Sequence, residues 1–443
     1  MKKVLTLFAF LVLMLIYMGA AAQTYSLEEC INLALQNNQQ LKNSQLEISA
    51  ADYRIKEVKS ALMPTIDVVG QLQYYRDLPS QYAPASAFGG PEGEYRKLTM
   101  AMAQTTNASV QMSQTLYSQS VRTGIKAAKA YRETSELQES LVRENLVYNV
   151  TATYFRVQVL NDNLSRLADN IENFKKTTTI DSVLKDNELV SANVHNRMLI
   201  GLENLKNQYE NQKLALDQNI TQLKVLMDMD MNEKLEVNKF EYADVFESPA
   251  QTDIDERADI LLQKSQVQLA QLDKKNIAAG YFPTLSNRFN YGYTGYYDEF
   301  APHKQINNDW IASSSMTLTL KIPVFDGFQK QNQLRQKEVA LQKNTNTLAM
   351  MKANANKEVE DATRNYFANK NLTVNSLKSL ELAEKVFSSA QSEYENGITS
   401  ATELLNAQND LSNARNNYST ALLNMKLAEL SLKKANGTLL TSK

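Results

Sequence analysis

Four segments of the chain alternate apolar and polar residues with a period of two. In the last of them Met316, Leu318 and Leu320 are separated by threonines. Alternation over about ten residues is typical of a transmembrane barrel strand, which has one face in lipid and one in water. The strands predicted in this way span about 65–76, 99–117, 284–297 and 310–323.

Between and after these segments the pattern changes to a heptad. Large apolar side chains recur every seven residues at Leu404, Leu411 and Tyr418, with Ala407 and Ala414 between them. Alanine lets a neighbouring helix approach closely, so the pattern predicts long helices packed along a narrow seam. The helix predicted from Gly327 to about Glu395 would be about 100 Å long at 1.5 Å per residue.

The same order of elements occurs twice. When Pro64 is superposed on Pro283, Lys56 meets Lys275 and the flanking apolar residues also correspond. Each half predicts a helix, a proline, a strand, a loop, a second strand and two very long helices. The predicted division is a signal peptide at 1–22, a first repeat at 23–230, an inter-repeat segment at 231–259 and a second repeat at 260–443.

Composition narrows the class of protein further. The 443 residues include only 13 Gly and 8 Pro, fewer turn residues than a compact enzyme with many short elements uses. One Cys and two His are too few residues to form a disulfide framework or a multi-cysteine metal site. We therefore expect no enzyme activity, no catalytic residue, no metal and no cofactor. The net charge of −2 gives no basic patch, so nucleic acid is not an expected partner.

The N-terminus has the pattern of an export signal. Lys2 and Lys3 precede an apolar stretch, and Ala20 to Ala22 provide small residues before Gln23. Cleavage is predicted after Ala22. No later apolar run is long enough to span a bilayer as a helix, so an exported chain of this kind is either soluble outside the cytoplasm or inserted through its strands.

Four strands are too few to close a barrel, for which eight is about the minimum. Because open strand edges are not tolerated in lipid, the sequence predicts a shared barrel, and three copies with twelve strands form the simplest ring. Aromatic residues predicted to lie at the membrane interface are Tyr74, Tyr75, Tyr291, Tyr293, Tyr297 and Trp310. The alternative is a soluble four-stranded sheet in a periplasmic coiled-coil scaffold.

At this point the sequence resembles the TolC family of outer-membrane efflux proteins. The motifs that carry the resemblance are SLEECI (26–31), RADI (257–260), FPTL (282–285), IPVFDG (322–327), YENG (394–397) and ELLNAQ (403–408). Ser26 and Glu29 also form a capping-box pattern on physical grounds alone.

The resemblance implies an α+β membrane protein with two tandem repeats. Three copies would form a 12-stranded β-barrel, four strands from each chain, that continues into a long α-helical coiled-coil barrel. The implied location is the outer membrane, with extension into the periplasm. The implied partners are two further copies of the chain, outer-membrane lipid, a periplasmic adaptor protein and an inner-membrane efflux transporter.

The resemblance also implies roles for residues at the helix tips. Tyr394 matches a tyrosine of the network that closes the tunnel, and Glu403 matches an acid of a charged ring. Asn406 falls on the second acidic position of that ring, where the charge is missing. The residues implied to dock the adaptor are Asp186, Asn187, Glu188, Asn396, Gly397 and Ile398.

In the first tip, Glu188 stands where the resemblance implies a glycine.

The implied function is a passive exit duct across the periplasm, without catalysis. The outer-membrane component of a one-step (type I) protein secretion system stays open as an alternative. The exported substrate, whether a drug, a metal ion or a polypeptide, is not determined by the sequence.

Overall fold

The protein is described from a computed structural model, which covers residues 24–188, 190–239, 253–302 and 310–440. The predicted signal peptide at 1–22 lies outside the described residues, as does much of the predicted inter-repeat segment. The elements of the first half are β1 (Thr24–Tyr25), α1 (Leu27–Asn37), α2 (Gln39–Ser60), β2 (Thr65–Tyr74), β3 (Ser80–Pro84), β4 (Tyr95–Thr99), β5 (Gln104–Ser118), α3 (Gln119–Asp186) and α4 (Ala192–Met227). Those that follow are β6 (Glu236–Val237), α5 (Ala258–Ala279), β7 (Thr284–Tyr297), β8 (Ile311–Lys321), α6 (Gln329–Glu395) and α7 (Ala401–Ala435).

The chain divides into two compact units. The first unit contains the described parts of 1–47, 135–264 and 346–443. The second unit contains the described parts of 48–134 and 265–345. Within the described ranges, none of the helices combines the length and the apolarity that a membrane span requires.

The second unit contains an antiparallel sheet with the strand order β2-β5-β7-β8, so β2 and β8 are its edges. The strand predicted to begin near residue 99 begins instead at Gln104. Thr99 belongs to β4, which pairs with β3 in a separate hairpin, and Thr99 lies opposite Ser80. The pattern of apolar and polar residues does not separate β4 from β5. The two strands can be distinguished only by the strands with which they pair.

The two faces of the sheet differ sharply in chemistry. One row across all four strands is entirely apolar and consists of Ile66, Met112, Phe289 and Met316. The next row, on the opposite face, is entirely polar and consists of Thr65, Ser113, Arg288 and Thr317. In one chain Ile66 and Met316 are 67% and 72% exposed, so this apolar face is not covered by the chain's own core.

The first unit is held together by the predicted heptad seam. Leu404, Leu411 and Tyr418 of α7 are buried with Leu380 and Phe387 of α6 in one cluster, which also includes residues of α3 and α4. A second cluster packs α1 against α3 and α4, beneath the short parallel pair β1 and β6. The predicted capping box is confirmed: the Ser26 backbone N–H donates to Glu29 Oε2 (2.7 Å), and the Glu29 N–H donates to Ser26 Oγ (3.2 Å).

Arg257, at the start of the second repeat, links three elements of the first unit. Its guanidinium donates to Asp259 Oδ2 (2.9 Å) and to Glu358 Oε2 of α6 (2.8 Å). It also donates to the carbonyl oxygen of Ala435 (3.2 Å), the last residue of α7. Carbonyl groups at a helix end have no partner within the helix, so Arg257 caps α7 while joining it to α5 and α6.

Candidate functional site

The two helix tips of the first unit have the same local geometry. After α3, Asn187 Nδ2 donates to the Val183 carbonyl (2.8 Å), and after α6, Asn396 Nδ2 donates to the Ser392 carbonyl (2.7 Å). The next residue in each tip has positive φ: Glu188 at 62° and Gly397 at 73°. The tips thus repeat a helix end in which an asparagine satisfies a free carbonyl and a left-handed residue turns the chain.

Behind the second tip lies a buried carboxylate with two partners. Asp181 of α3 has no exposed surface, and the Tyr394 hydroxyl of α6 donates to its Oδ1 over 2.5 Å. The Asp181 Oδ2 lies 2.7 Å from Nδ1 of His195, which is in the first turn of α4. Burial and the hydrogen bond to Asp181 raise the pKa of the Tyr394 hydroxyl, which therefore stays a donor at neutral pH. Asp181 thereby joins three helices through polar contacts.

The first turns of α7 expose acidic side chains. The Ser400 Oγ accepts the Glu403 N–H (3.3 Å) and caps the helix, whose buried side begins with Ala401, Leu404 and Ala407. Glu403 and Asn406 are exposed on the opposite side. Asp410, also exposed, lies seven residues after Glu403 and so on nearly the same face. An exposed acid thus lies one helical turn after Asn406.

The structure separates the predicted aperture residues into two sets. Tyr394 is buried and bonded to Asp181, and among the described residues it has no hydrogen bond to Glu403 or Asn406. Of the six predicted docking residues, five end a helix or turn the chain, and the sixth, Ile398, is 75% exposed. Asp186 ends α3 with its carboxylate 3.8 Å from the Lys185 ammonium.

Asp181 and His195 were not among the residues predicted from the sequence. A signal for both is present, because Asp181 continues the seven-residue series of Leu167 and Phe174, while His195 precedes Leu202 by seven. A polar residue at a seam position must either find a partner or destabilise the helix pair. The rule that would have found this pair is to search each apolar seam for polar positions.

The aromatic residues predicted at the membrane interface gather on the apolar face of the sheet. Tyr74 and Tyr297 belong to one row, and Tyr291 and Tyr293 are in edge-to-face contact. The Trp310 Nε1–H donates to the Tyr297 hydroxyl (2.6 Å). A methyl group on Gly295 would lie 2.6 Å from this indole, so glycine is what lets Trp310 lie across β7. Tyr75 follows the end of β2, and its N–H donates to the Ala103 carbonyl (2.8 Å).

A family model described as "Outer membrane efflux protein" matches residues 30–182 and 251–438, which is well over half of the chain. The chain belongs to this family. The resemblance drawn from its motifs is therefore confirmed, and with it the location in the outer membrane with extension into the periplasm. The outer membrane efflux protein family is one of channels, not of enzymes. No curated protein sequence matches the chain.

Solved structures of outer-membrane channels share its fold. CusC matches over 94% of this chain and 95% of its own, with 16% identity and a TM-score of 0.75. The CmeC channel of Campylobacter jejuni matches over 93% and 85%, with 18% identity and a TM-score of 0.75. VceC of Vibrio cholerae matches over 93% and 96%, with 14% identity and a TM-score of 0.73. The predicted fold class, with two repeats and four strands in an open sheet, is confirmed.

The groups that make contacts at the tips of this chain are mainly polar. Among the described residues, no group of three or more His, Cys, Asp or Glu is placed to hold a metal ion. The tips of this efflux protein instead offer hydrogen bonds, one buried carboxylate and two exposed acids on α7. Such groups suit the positioning of helices and the attraction of cations in water.

Proposed function

We propose that the protein is the outer-membrane channel of a tripartite efflux system, a passive duct for substrates passed on by an inner-membrane transporter and a periplasmic adaptor. The observation that carries the proposal is the open four-stranded sheet, which has two free edges and one mainly apolar face. In a monomer the free edges are not tolerated in lipid, and the apolar face is not stable in water. Three copies pairing β8 with the β2 of the next would close twelve strands and turn the apolar faces to lipid.

The tips are the proposed periplasmic end of the duct. Tyr394, Glu403 and Asn406 are the proposed aperture residues, to which the geometry adds Asp181, His195 and Asp410. Asp181 fixes α3, α4 and α6 relative to one another, which suits a constriction that must have a defined closed state. The exposed turns with Asn187, Glu188, Asn396 and Gly397 are the proposed contact with the adaptor, since their backbone is held by local bonds and needs no reordering on binding.

Fractionation combined with electrophoresis tests the proposal as a whole. The full chain, expressed with its own signal, is expected in the outer membrane as trimers that resist heating in detergent. Purified trimers are expected to form ion-conducting pores in a planar bilayer. Monomers in the soluble periplasm would instead support the scaffold, and would overturn the channel. Co-purification with an adaptor and an exporter of polypeptides would favour the secretion role.

The aperture is tested by replacing Glu403 with Gln. Three Glu403 carboxylates in a ring would favour cations, so the variant is expected to lose cation selectivity, seen as a reversal potential several millivolts closer to zero in a KCl gradient. The control is Glu360→Gln on α6, an exposed acid paired with Arg364 in its own helix. If Glu403→Gln and the control behave like the natural protein, Glu403 has no part in the aperture.

A further inference from the structure

The polar face of the sheet carries an arginine that lacks a partner. Arg288 is exposed on β7, and the described part of the chain offers it no hydrogen bond or ion pair. The four strands of the sheet contain only two other charged side chains, Asp67 and Lys321, and both lie on this same face. The face therefore holds two cations and one anion.

Asp67 is too far away in the sheet to pair with Arg288. It lies two strands from β7, each step being about 4.8 Å, and two residues along β2 from the row that contains Arg288. The other members of that row are hydroxyl residues, and so are those of the next row on the side away from Asp67. The hydroxyl residues on this side of Arg288 include Thr65, Ser113, Ser286, Thr317 and Thr319.

These side chains line a cavity of about 580 Å³ against the polar face. Hydroxyl groups can donate hydrogen bonds to an anion, and a guanidinium presents a planar fork that fits the oxygens of a phosphate or carboxylate. The Thr65 and Ser113 hydroxyls are 2.8 Å apart, and the Thr65 hydroxyl also donates to the Ser113 carbonyl oxygen (3.3 Å), so these two residues link β2 and β5 at the edge of the cavity. The groups present are thus donors and a cation, without a carboxylate among the residues that line the cavity.

We propose that Arg288 and the hydroxyls of its row form a binding site for the oxyanion groups of solutes inside the barrel. The proposal rests on the proposed function, because the polar face becomes a lumen only when three copies close the ring. Three Arg288 side chains then lie at one level of the barrel. They make this level attractive to phosphate-like and carboxylate-like solutes, the opposite preference to that of the acids on α7.

Channel block by inorganic tripolyphosphate tests the site. Trimers are inserted into planar bilayers of phosphatidylcholine, and tripolyphosphate is added on the side of the barrel. We expect reversible block of the potassium current, and we expect Arg288→Gln to raise the half-blocking concentration about ten-fold or more, as fits the loss of a charged hydrogen bond. Arg288→Lys is expected to fall between the two. The matched control is Arg96→Gln, an exposed arginine on β4 in the separate hairpin, which should leave the block unchanged.

The outcomes separate the site from the channel. If trimers form pores but tripolyphosphate does not block them, or blocks Arg288→Gln and the natural protein alike, the oxyanion site is wrong while the channel stands. If no pore forms, the channel itself is wrong. Repeating the titration with anionic phosphatidylglycerol in the bilayer separates a solute from a lipid headgroup: unchanged block supports a solute site, and block that disappears would show that lipid occupies Arg288 and overturn the proposal.

Discussion

Asp181 is a buried polar residue that is held from two sides. Its carboxylate is fully buried, and each oxygen has one partner, Tyr394 or His195. Removing one partner of a buried charge is strongly destabilising, because the charge is then left without compensation. The strength of this contact is therefore best measured by removing one donor while the carboxylate stays.

Replacing Tyr394 with Phe removes the hydroxyl that donates to Asp181 and keeps the ring. We expect the unfolding free energy to fall by about 1.5–3 kcal/mol, because a hydrogen bond to a buried charge is lost. Thermal unfolding followed by circular dichroism measures the change. Tyr209→Phe is the control, since Tyr209 packs against the same cluster without a recorded hydrogen bond in the described residues. Equal effects in the two variants would contradict the role given to Asp181.

Glu144 of α3 shows the opposite situation, a buried acid without a hydrogen-bonding partner among the described residues. It is 8% exposed and lines a cavity of about 540 Å³ with Arg257, Asp259 and Lys434. Burial raises the pKa of its carboxyl, Asp259 adds to the rise, and Lys434 and Arg257 oppose it. A raised pKa means that the folded state favours the neutral form. The stabilisation is complete below the pKa of the unfolded chain, about 4.3, and is lost as the pH rises through the folded value.

Glu144→Gln is therefore expected to stabilise the protein at pH 7.5, by about 1–2 °C in melting temperature, with the gain shrinking to nothing near pH 4. Melting curves at both pH values measure it. Glu358→Gln provides the contrast, because Glu358 lines the same cavity but is bonded to Arg257, and its replacement should give no gain. A gain for Glu144→Gln that persists at pH 4 would rule out ionisation as its cause.

At the scale of elements, the two tips differ in the type of residue that has positive φ. Gly397 adopts φ 73° without a side chain, while Glu188 adopts φ 62° with one. A residue with a Cβ in the left-handed region is strained by about 1 kcal/mol, whereas glycine is not. The turn therefore has the same geometry in both repeats, but only the second repeat has a glycine at the position with positive φ.

Glu188→Gly is expected to stabilise the first tip by about 0.5–1 kcal/mol, and Gly397→Ala is expected to destabilise the second by about 1 kcal/mol. Limited proteolysis at the two tips, together with thermal unfolding, measures both changes. Asp186→Gly, next to the turn but at a helical position, should destabilise and so controls for the general effect of glycine. A loss of stability in Glu188→Gly would mean that its carboxylate does more than the backbone geometry indicates.

Elements with long regular patterns could be predicted almost to their ends. The helix expected from Gly327 to Glu395 runs from Gln329 to Glu395, its start displaced because Gly327 and Phe328 both have positive φ. The start of β5 could not be predicted, because which strand Thr99 pairs with is decided by a hairpin turn and not by local alternation. The heptad spacing marks Asp181 and His195 as polar seam positions, but that they bond to each other could not be predicted, because the packing of two helices brings them together.

At the scale of the whole molecule, stability depends on where the apolar face of the sheet lies. Met316 and Phe289 are adjacent members of a row that a single chain leaves exposed. Met316 belongs to β8, and β8 also places Ser313 on the polar face, opposite Gly292 of β7. The strand β8 therefore allows the two faces to be tested by similar substitutions three residues apart.

Met316→Glu is expected to abolish most of the heat-resistant trimer in the outer membrane, because a carboxylate on a lipid-facing strand costs up to a few kcal/mol in each of three copies. Ser313→Glu is expected to assemble normally, since its carboxylate would enter water. Quantifying heated and unheated bands after membrane fractionation measures both. Normal assembly of the Met316 variant would place this face away from lipid.

The hairpin of β3 and β4 has a practical consequence. Within the described part of the chain, its strands pair with each other and with no strand of the main sheet, and its turn at 89–94 is exposed. A peptide epitope inserted near Gly93, whose surroundings are open, would then disturb no sheet register. Antibody staining of intact cells that carry this epitope would show whether the loop faces the outside of the envelope. If it does, the same staining could be used to count assembled channels on living bacteria.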